Sequence, residues 1–167
     1  MSTGEASTES ARRRPVVLLA FGPNFNLLGK RQPELYGAQT LEERVEDCRK
    51  AANEVGLDLR HVQSNSVSTL VDAIHAAREP LPVGASAIII NPGAFTHYAW
   101  ALTDALATFE GPIIEVHQTN TAGRESWRHT SVVAPVATAT LAGLGDFSYA
   151  TAVVAAAALL SKRPNNA

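Results

Sequence analysis

The chain has 167 residues, a formal net charge of −2 at pH 7 and 46% hydrophobic residues. That length suits one domain with a full core, and the near-neutral balance leaves no electrostatic footprint for nucleic acid or a membrane surface. With a single cysteine there is no disulfide framework and no thiol metal cluster, which fits a reducing cytoplasm.

In chain order, residues 1–14 read as a flexible polar tail. Arg12, Arg13 and Arg14 before an apolar run imitate a secretion signal, but the run is too short and no small-residue cleavage site follows. No apolar stretch approaches the ~18 residues that span a bilayer. Residues 15–21 form a buried strand. A long loop, residues 22–37, leads to a capping box at Thr40 and Glu43 and a helix over 41–55 closed by Gly56. Residues 57–63 read as the second strand. Ser64, Asn65 and Ser66 open a helix running to 78, with Leu70, Val71, Ile74 and Ala77 at core spacing.

Pro80, Pro82 and Gly84 then break the chain, and the continuous apolar run 85–90 reads as a strand buried on both faces. A helix over 96–109 and a strand over 113–117 follow. The polar stretch TNTAGRESWRHT carries one helical turn, residues 131–136 form the fifth strand, and an Ala-rich helix covers 147–160. Strands alternating with helices imply right-handed βαβ units on a parallel sheet. The expectation is a three-layer, doubly wound, five-stranded α/β fold of the flavodoxin-like kind. It forms a single domain over 15–161, with a second tail at 162–167.

In such folds ligands bind beyond the carboxyl ends of the strands, at the switch point between the first and third. The chemically capable residues gather at those ends. Asn24, Asn26, Arg31 and Tyr36 follow the first strand, and Asn91, Gly93 and His97 follow the third. Glu115 and His117 end the fourth and share one face, being two apart; Thr119, Asn120, Arg124 and Arg128 come next. The loop 22–37 far exceeds the usual 2–6 residues of a strand-to-helix connection, and such loops are usually functional. It reads as a lid carrying a reactive tyrosine, with Gly29 and Gly37 as hinges.

Familiar ligand motifs are missing. There is no G-x-G-x-x-G, Gly29-Lys30-Arg31 lacks the spacing and hydroxyl of a P-loop, and no metal-ligand spacing joins His97, His117 and Glu115. Proton transfer remains. A phenol titrates near ~10, and bringing it to neutrality takes roughly 3 units, or about 4 kcal/mol. Arg31 with Arg124 or Arg128 can supply that in a water-poor pocket. The phenolate would remove a proton beside a carbonyl, Asn24 would stabilise the enolate directly or through water, and His117, oriented by Glu115, would be the general acid.

The segments GPNFNLLGKRQPELYG, QSN, INPGAFTH, EVHQTN and RESWRHTSVVAP, in this order, closely resemble the type II 3-dehydroquinate dehydratases over nearly all of residues 16–160. The resemblance implies a cofactor-free, metal-free lyase converting 3-dehydroquinate to 3-dehydroshikimate by anti elimination. It also implies a homododecamer built as a tetramer of trimers. It makes Tyr36 the base, Arg31 the group that keeps it ionised, Asn24 the residue positioning the enolate-side water, and His117 with Glu115 the acid pair. Asn91, His97 and Arg128 match ring-hydroxyl binders, with Gly93 in the same INPGAFTH motif. Gln118 and Thr119 match the carboxylate site, Arg124 an arginine near the tyrosine, and Asp104 an acid reaching a neighbouring subunit's site. Apart from the motif, Asp104 is equally an ordinary helix-face charge, Asn26 a turn former, and Trp100 and Trp127 packing or interface residues.

The chain departs from the family's usual residues at Phe25, at Ser66-Val67, at Tyr98-Ala99, at Thr103, at Gln118 and Thr119, and at Trp127. Two alternatives stay open on that account. One is a paralogue acting on a related cyclic substrate such as amino-dehydroquinate; the other is a non-catalytic dodecameric binding protein.

Overall fold

Three runs rich in Val and Ile form the centre of a sheet: β1 (Val16–Phe21), β3 (Ala87–Asn91) and β4 (Ile113–His117). The structure is a computed structural model and describes residues 13–30 and 37–162. Arg31 and Tyr36 therefore lie outside the described residues. β2 (Asp58–Gln63) and β5 (Ala139–Ala142) flank the central three, giving the order β2-β1-β3-β4-β5 with every pair parallel. This is the expected flavodoxin-like arrangement.

The alternation of a strand sorts its side chains between two layers. Val17, Leu19, Phe21 and Ile89 pack under α1 (Leu41–Glu54) and α4 (Ser148–Ser161). Leu18, Ala20, Ile88 and Ile90 pack under α2 (Val67–Ala77) and α3 (Trp100–Ala107). The capping box at α1 is present: the Glu43 N–H donates to Thr40 Oγ1 at 3.3 Å, and the Thr40 N–H donates to Glu43 Oε2 at 2.8 Å. No described helix is long and apolar enough to cross a membrane.

Two expected elements differ. The fifth strand is not 131–136 but Ala139–Ala142. Val132 and Val133 are buried as strand residues would be, but the Val132 N–H donates to the Thr96 carbonyl at 2.8 Å. Pro135 then sits in a 3-10 turn, Ala134–Val136. The helix expected over 96–109 is split into a 3-10 turn, Gly93–His97, and α3. In an unbroken helix the Thr96 carbonyl would accept from Trp100; here Val132 has taken it and the Trp100 N–H turns to Tyr98 O.

Gly22 ends β1 where the chain passes closest to the turn after β3. A Cβ there would lie 2.1 Å from the Pro92 carbonyl oxygen, inside contact distance with backbone that cannot swing away. Gly22→Ala should lower stability by the ~1–3 kcal/mol typical of overpacking, read as a lower urea midpoint at unchanged m-value. Cys48, on the buried face of α1, supplies a pH test. Burial pushes its thiol up from 9.0 to about 12, against the opposing charge of Arg44. The folded pKa lies above the unfolded one, so this contribution is complete below pH 9.0 and disappears as pH rises toward about 12. The stability difference between the wild-type protein and Cys48→Ala should shrink across that interval in denaturation series.

Candidate active site

The strand register brings the carboxyl ends together. Phe21 is level with Asn91 across β1–β3, and Ile90 is level with Glu115 across β3–β4. The chain leaves the three strands side by side, around a cavity of about 140 Å³. Pro23, Asn24, Phe25 and Leu28 line it from the first loop, and Asn91, Gly93, Ala94 and His97 from the second. His117, Gln118, Thr119 and Thr121, then Arg124, Trp127 and Arg128, line it from the third.

Asn24 adopts a left-handed conformation, φ 69°, which an Asn tolerates better than a branched residue would. Its backbone N–H donates to Asn65 Oδ1 at 2.9 Å, and Gln63 Nε2 donates to the Gly22 carbonyl at 3.1 Å. The QSN segment thus acts as a brace for the first loop. Asn91 is buried and held at both ends of its amide: Nδ2 donates to the Tyr149 hydroxyl at 2.8 Å, and Oδ1 accepts from the Gly93 N–H at 3.0 Å. Gly93 has φ 58°, which suits a glycine where the turn closes on Pro23. Burial pushes the Tyr149 phenol up, so this tyrosine is a neutral brace behind the wall.

Glu115 has no exposed surface. His117 Nε2 donates to its Oε1 at 2.8 Å, and Ser131 Oγ donates to the same oxygen at 2.7 Å. Oε2 has no hydrogen-bond partner among the described residues. Ser131 also accepts from the Val133 and Ala134 N–H groups, so the hydroxyl is held on all sides. His117 itself faces the cavity, while Glu115 stands behind it and is not part of the lining.

The polar stretch after β4 forms two 3-10 turns, Thr121–Gly123 and Ser126–His129, rather than one helical turn. Both arginines still reach the cavity, coupled through Glu125: its Oε2 is 3.4 Å from Arg124 Nε and 2.9 Å from Arg128 Nε. Its carboxyl is held below the ordinary value, first by its own backbone N–H and then by Arg128 and Arg124. Arg124 Nη1 also donates to Thr119 Oγ1 at 3.4 Å. His97 Nδ1 donates to the Thr130 carbonyl at 2.7 Å, which leaves Nε2 as the other polar atom of the ring. The Trp127 ring stands edge-on to His97 at 5.1 Å and carries the Arg128 guanidinium over its face at 4.0 Å.

Nine of the residues singled out from the sequence line this one cavity: Asn24, Asn91, Gly93, His97, His117, Gln118, Thr119, Arg124 and Arg128. Asp104 does not; it is exposed on α3. Trp127 belongs to the wall, where sequence reasoning makes it a packing or interface residue. Asn65 lies in the segment QSN, and Glu125 and Ser131 in RESWRHTSVVAP, but the segments by themselves assign none of the three a place at the site. Among the described residues no three His, Cys, Asp or Glu side chains converge as metal ligands would.

The sequence profile of the family described as Dehydroquinase class II matches residues 15–157. A catabolic 3-dehydroquinase of Pyricularia oryzae is 46% identical over 141 residues, covering 84% of this chain and 88% of that protein. A 3-dehydroquinate dehydratase of Roseiflexus castenholzii is 50% identical over 137 residues, covering 82% and 85%. The crystal structure of the type II dehydroquinase of Butyrivibrio crossotus has a TM-score of 0.81 at 35% identity, covering 86% of this chain and 97% of that one.

The Glu115 bond dictates the tautomer of His117. With Nε2–H donated to the carboxylate, the neutral ring must keep its proton on Nε2 and leave Nδ1 as acceptor. Nitrogen-15 NMR of the imidazole should report that tautomer in the wild-type protein. In Glu115→Gln and Ser131→Ala the preference should weaken toward a mixture.

Proposed function

The chain belongs to the class II dehydroquinase family, and on that premise we propose that it dehydrates 3-dehydroquinate to 3-dehydroshikimate. The observation that carries this reading is the Glu115–His117 pair opening onto a cavity it shares with Asn24, Thr119, Arg124 and Arg128. A buried carboxylate behind the ring compensates an imidazolium, so His117 can hold a second proton on Nδ1 and deliver it.

The steps follow from the roles. Tyr36 as phenolate takes a proton from the carbon beside the ring carbonyl, and the C–H electrons pass to the carbonyl oxygen as an enolate. Asn24 supports that charge, directly or through a water. The enolate electrons then return to form the ring double bond. The hydroxyl leaves as water, with the proton supplied by His117, in an anti sense overall. Arg31 and Arg124 keep the phenol ionised. Gln118 and Thr119 receive the substrate carboxylate, and Asn91, His97 and Arg128 the ring hydroxyls. None of these steps calls for a cofactor.

Asp104 is assigned to a neighbouring subunit's site, in trimers that build a dodecamer. Exposed Tyr98 and Trp100 on the same stretch offer apolar area for that contact. A second reading, a related cyclic substrate such as amino-dehydroquinate, draws support from Trp127 in the wall between His97 and Arg128. Comparing kcat/KM for the two substrates decides between them. A purely binding role is opposed by the intact acid pair.

Purified protein given 3-dehydroquinate should show rising enone absorbance. Tyr36→Phe and His117→Ala should each lose roughly 10²–10⁴-fold in kcat, the usual share of a general base or acid. Absence of turnover by the wild-type protein, or full activity in Tyr36→Phe, overturns the proposal.

A further inference from the structure

The core face of α1 holds one residue of the wrong kind. Its buried positions are Leu41, Arg44, Val45, Cys48 and Ala52, and Arg44 is 1% exposed. A guanidinium in such a place is stable only when its donors meet well-placed acceptors. Nη2 lies 2.7 Å from Asp146 Oδ1. The Gln118 side-chain oxygen, in the amide orientation that satisfies both partners, accepts from Nη1 at 3.0 Å and Nη2 at 3.2 Å. The Tyr149 ring lies 5.2 Å from the guanidinium carbon. Nε is left without a hydrogen-bond partner among the described residues.

Two of those partners reach the cavity. Gln118 is part of its lining, and Tyr149 holds Asn91 through the hydroxyl. Arg44 is not part of the lining itself. Asp146, the counter-charge, is half exposed, so water screens it while the guanidinium stays dry. The cavity therefore has an incompletely cancelled positive charge behind the wall formed by Gln118 and Asn91.

We propose that Arg44 is a positioning residue for the substrate-carboxylate end of the cavity. It ties down the Gln118 side chain so that the Gln118–Thr119 backbone faces the ligand, steadies Asn91 through Tyr149, and favours an anionic ring over a neutral one. Arg44 acts through these groups and touches no reacting atom. The inference rests on reading the cavity as a dehydroquinate site.

Steady-state kinetics of Arg44→Met, Gln118→Met, the double variant and Arg44→Lys test it, with thermal melting recorded alongside. Each single Met variant should raise KM for 3-dehydroquinate roughly tenfold and leave kcat within about threefold, the pattern of lost binding rather than lost chemistry. The double variant should be no worse than the poorer single one, since both remove the same link. Arg44→Lys, which keeps the charge, should recover part of the loss. Active wild-type protein with KM in Arg44→Met within about twofold of it, whatever the melting temperature, overturns this inference alone. Additive effects in the double variant do the same. Should Arg44→Met not fold, Gln118→Met carries the test, and an unchanged KM there overturns the proposal. A wild-type protein with no turnover overturns the dehydroquinate reading and this inference with it.

Discussion

A carboxylate with no exposed surface, at the end of a central strand, constrains much of what surrounds it. Glu115 cannot sit in a dry sheet without hydrogen-bond donors, because burying an unpartnered polar group is costly. Its donors are His117, two residues along the same strand, and Ser131, fourteen positions further on. Ser131 has to come back over the end of β4 to reach it. The segment around Ser131 does more on the way: the Val132 N–H takes the Thr96 carbonyl, and the Thr130 carbonyl receives His97 Nδ1. One buried side chain thereby links His117, the loop carrying Arg124 and Arg128, and His97 into a single block.

The same constraint explains where sequence reasoning goes astray. Residues 131–136 have a strand's apolar content, and Val132 and Val133 are as deeply buried as any strand residue. Periodicity reports burial and says nothing of which groups the backbone bonds to. The true β5, Ala-Thr-Leu-Ala at the sheet edge, has small side chains and weak alternation, so its signal is faint. The split before α3 has the same origin, since a carbonyl claimed from 36 residues away leaves no mark on the local pattern. The three central strands, by contrast, were legible because each is rich in large aliphatic residues, and β3 and β4 end in a polar group.

Most of the candidate site was legible for a topological reason. In a parallel sheet the residue that follows a strand is delivered to the same edge as every other such residue, so polar groups at strand ends meet without further information. Asn24, Asn91 and His117 are of that kind. Residues that act from behind the wall are not. Arg44 and Asp146 are 102 positions apart, and an arginine read alone on a helix is taken for a solvated charge. Trp127 stands in a stretch whose conformation depends on where its neighbours dock. Its ring becomes part of the wall only because His97 and Arg128 close on it from two sides.

The positions expected from the motifs to depart from the family pattern fall into physically separate groups. Phe25, Gln118, Thr119 and Trp127 all line the cavity. Phe25 packs its ring 5.3 Å from Phe21, Gln118 is bonded to Arg44, and Trp127 is held between two polar side chains. None of them takes part in the Glu115–His117 hydrogen bond. Tyr98 is exposed, its ring edge-on to Phe95 at 6.0 Å, and Ser66 is the N-cap of α2. Changes of the first group alter the shape and charge of the space a ring must fill, whereas changes of the second alter the outer surface and a helix start. The lining of the cavity and the outer surface can therefore diverge independently in this fold. Glu115 and His117, hydrogen-bonded to each other on β4, belong to neither group.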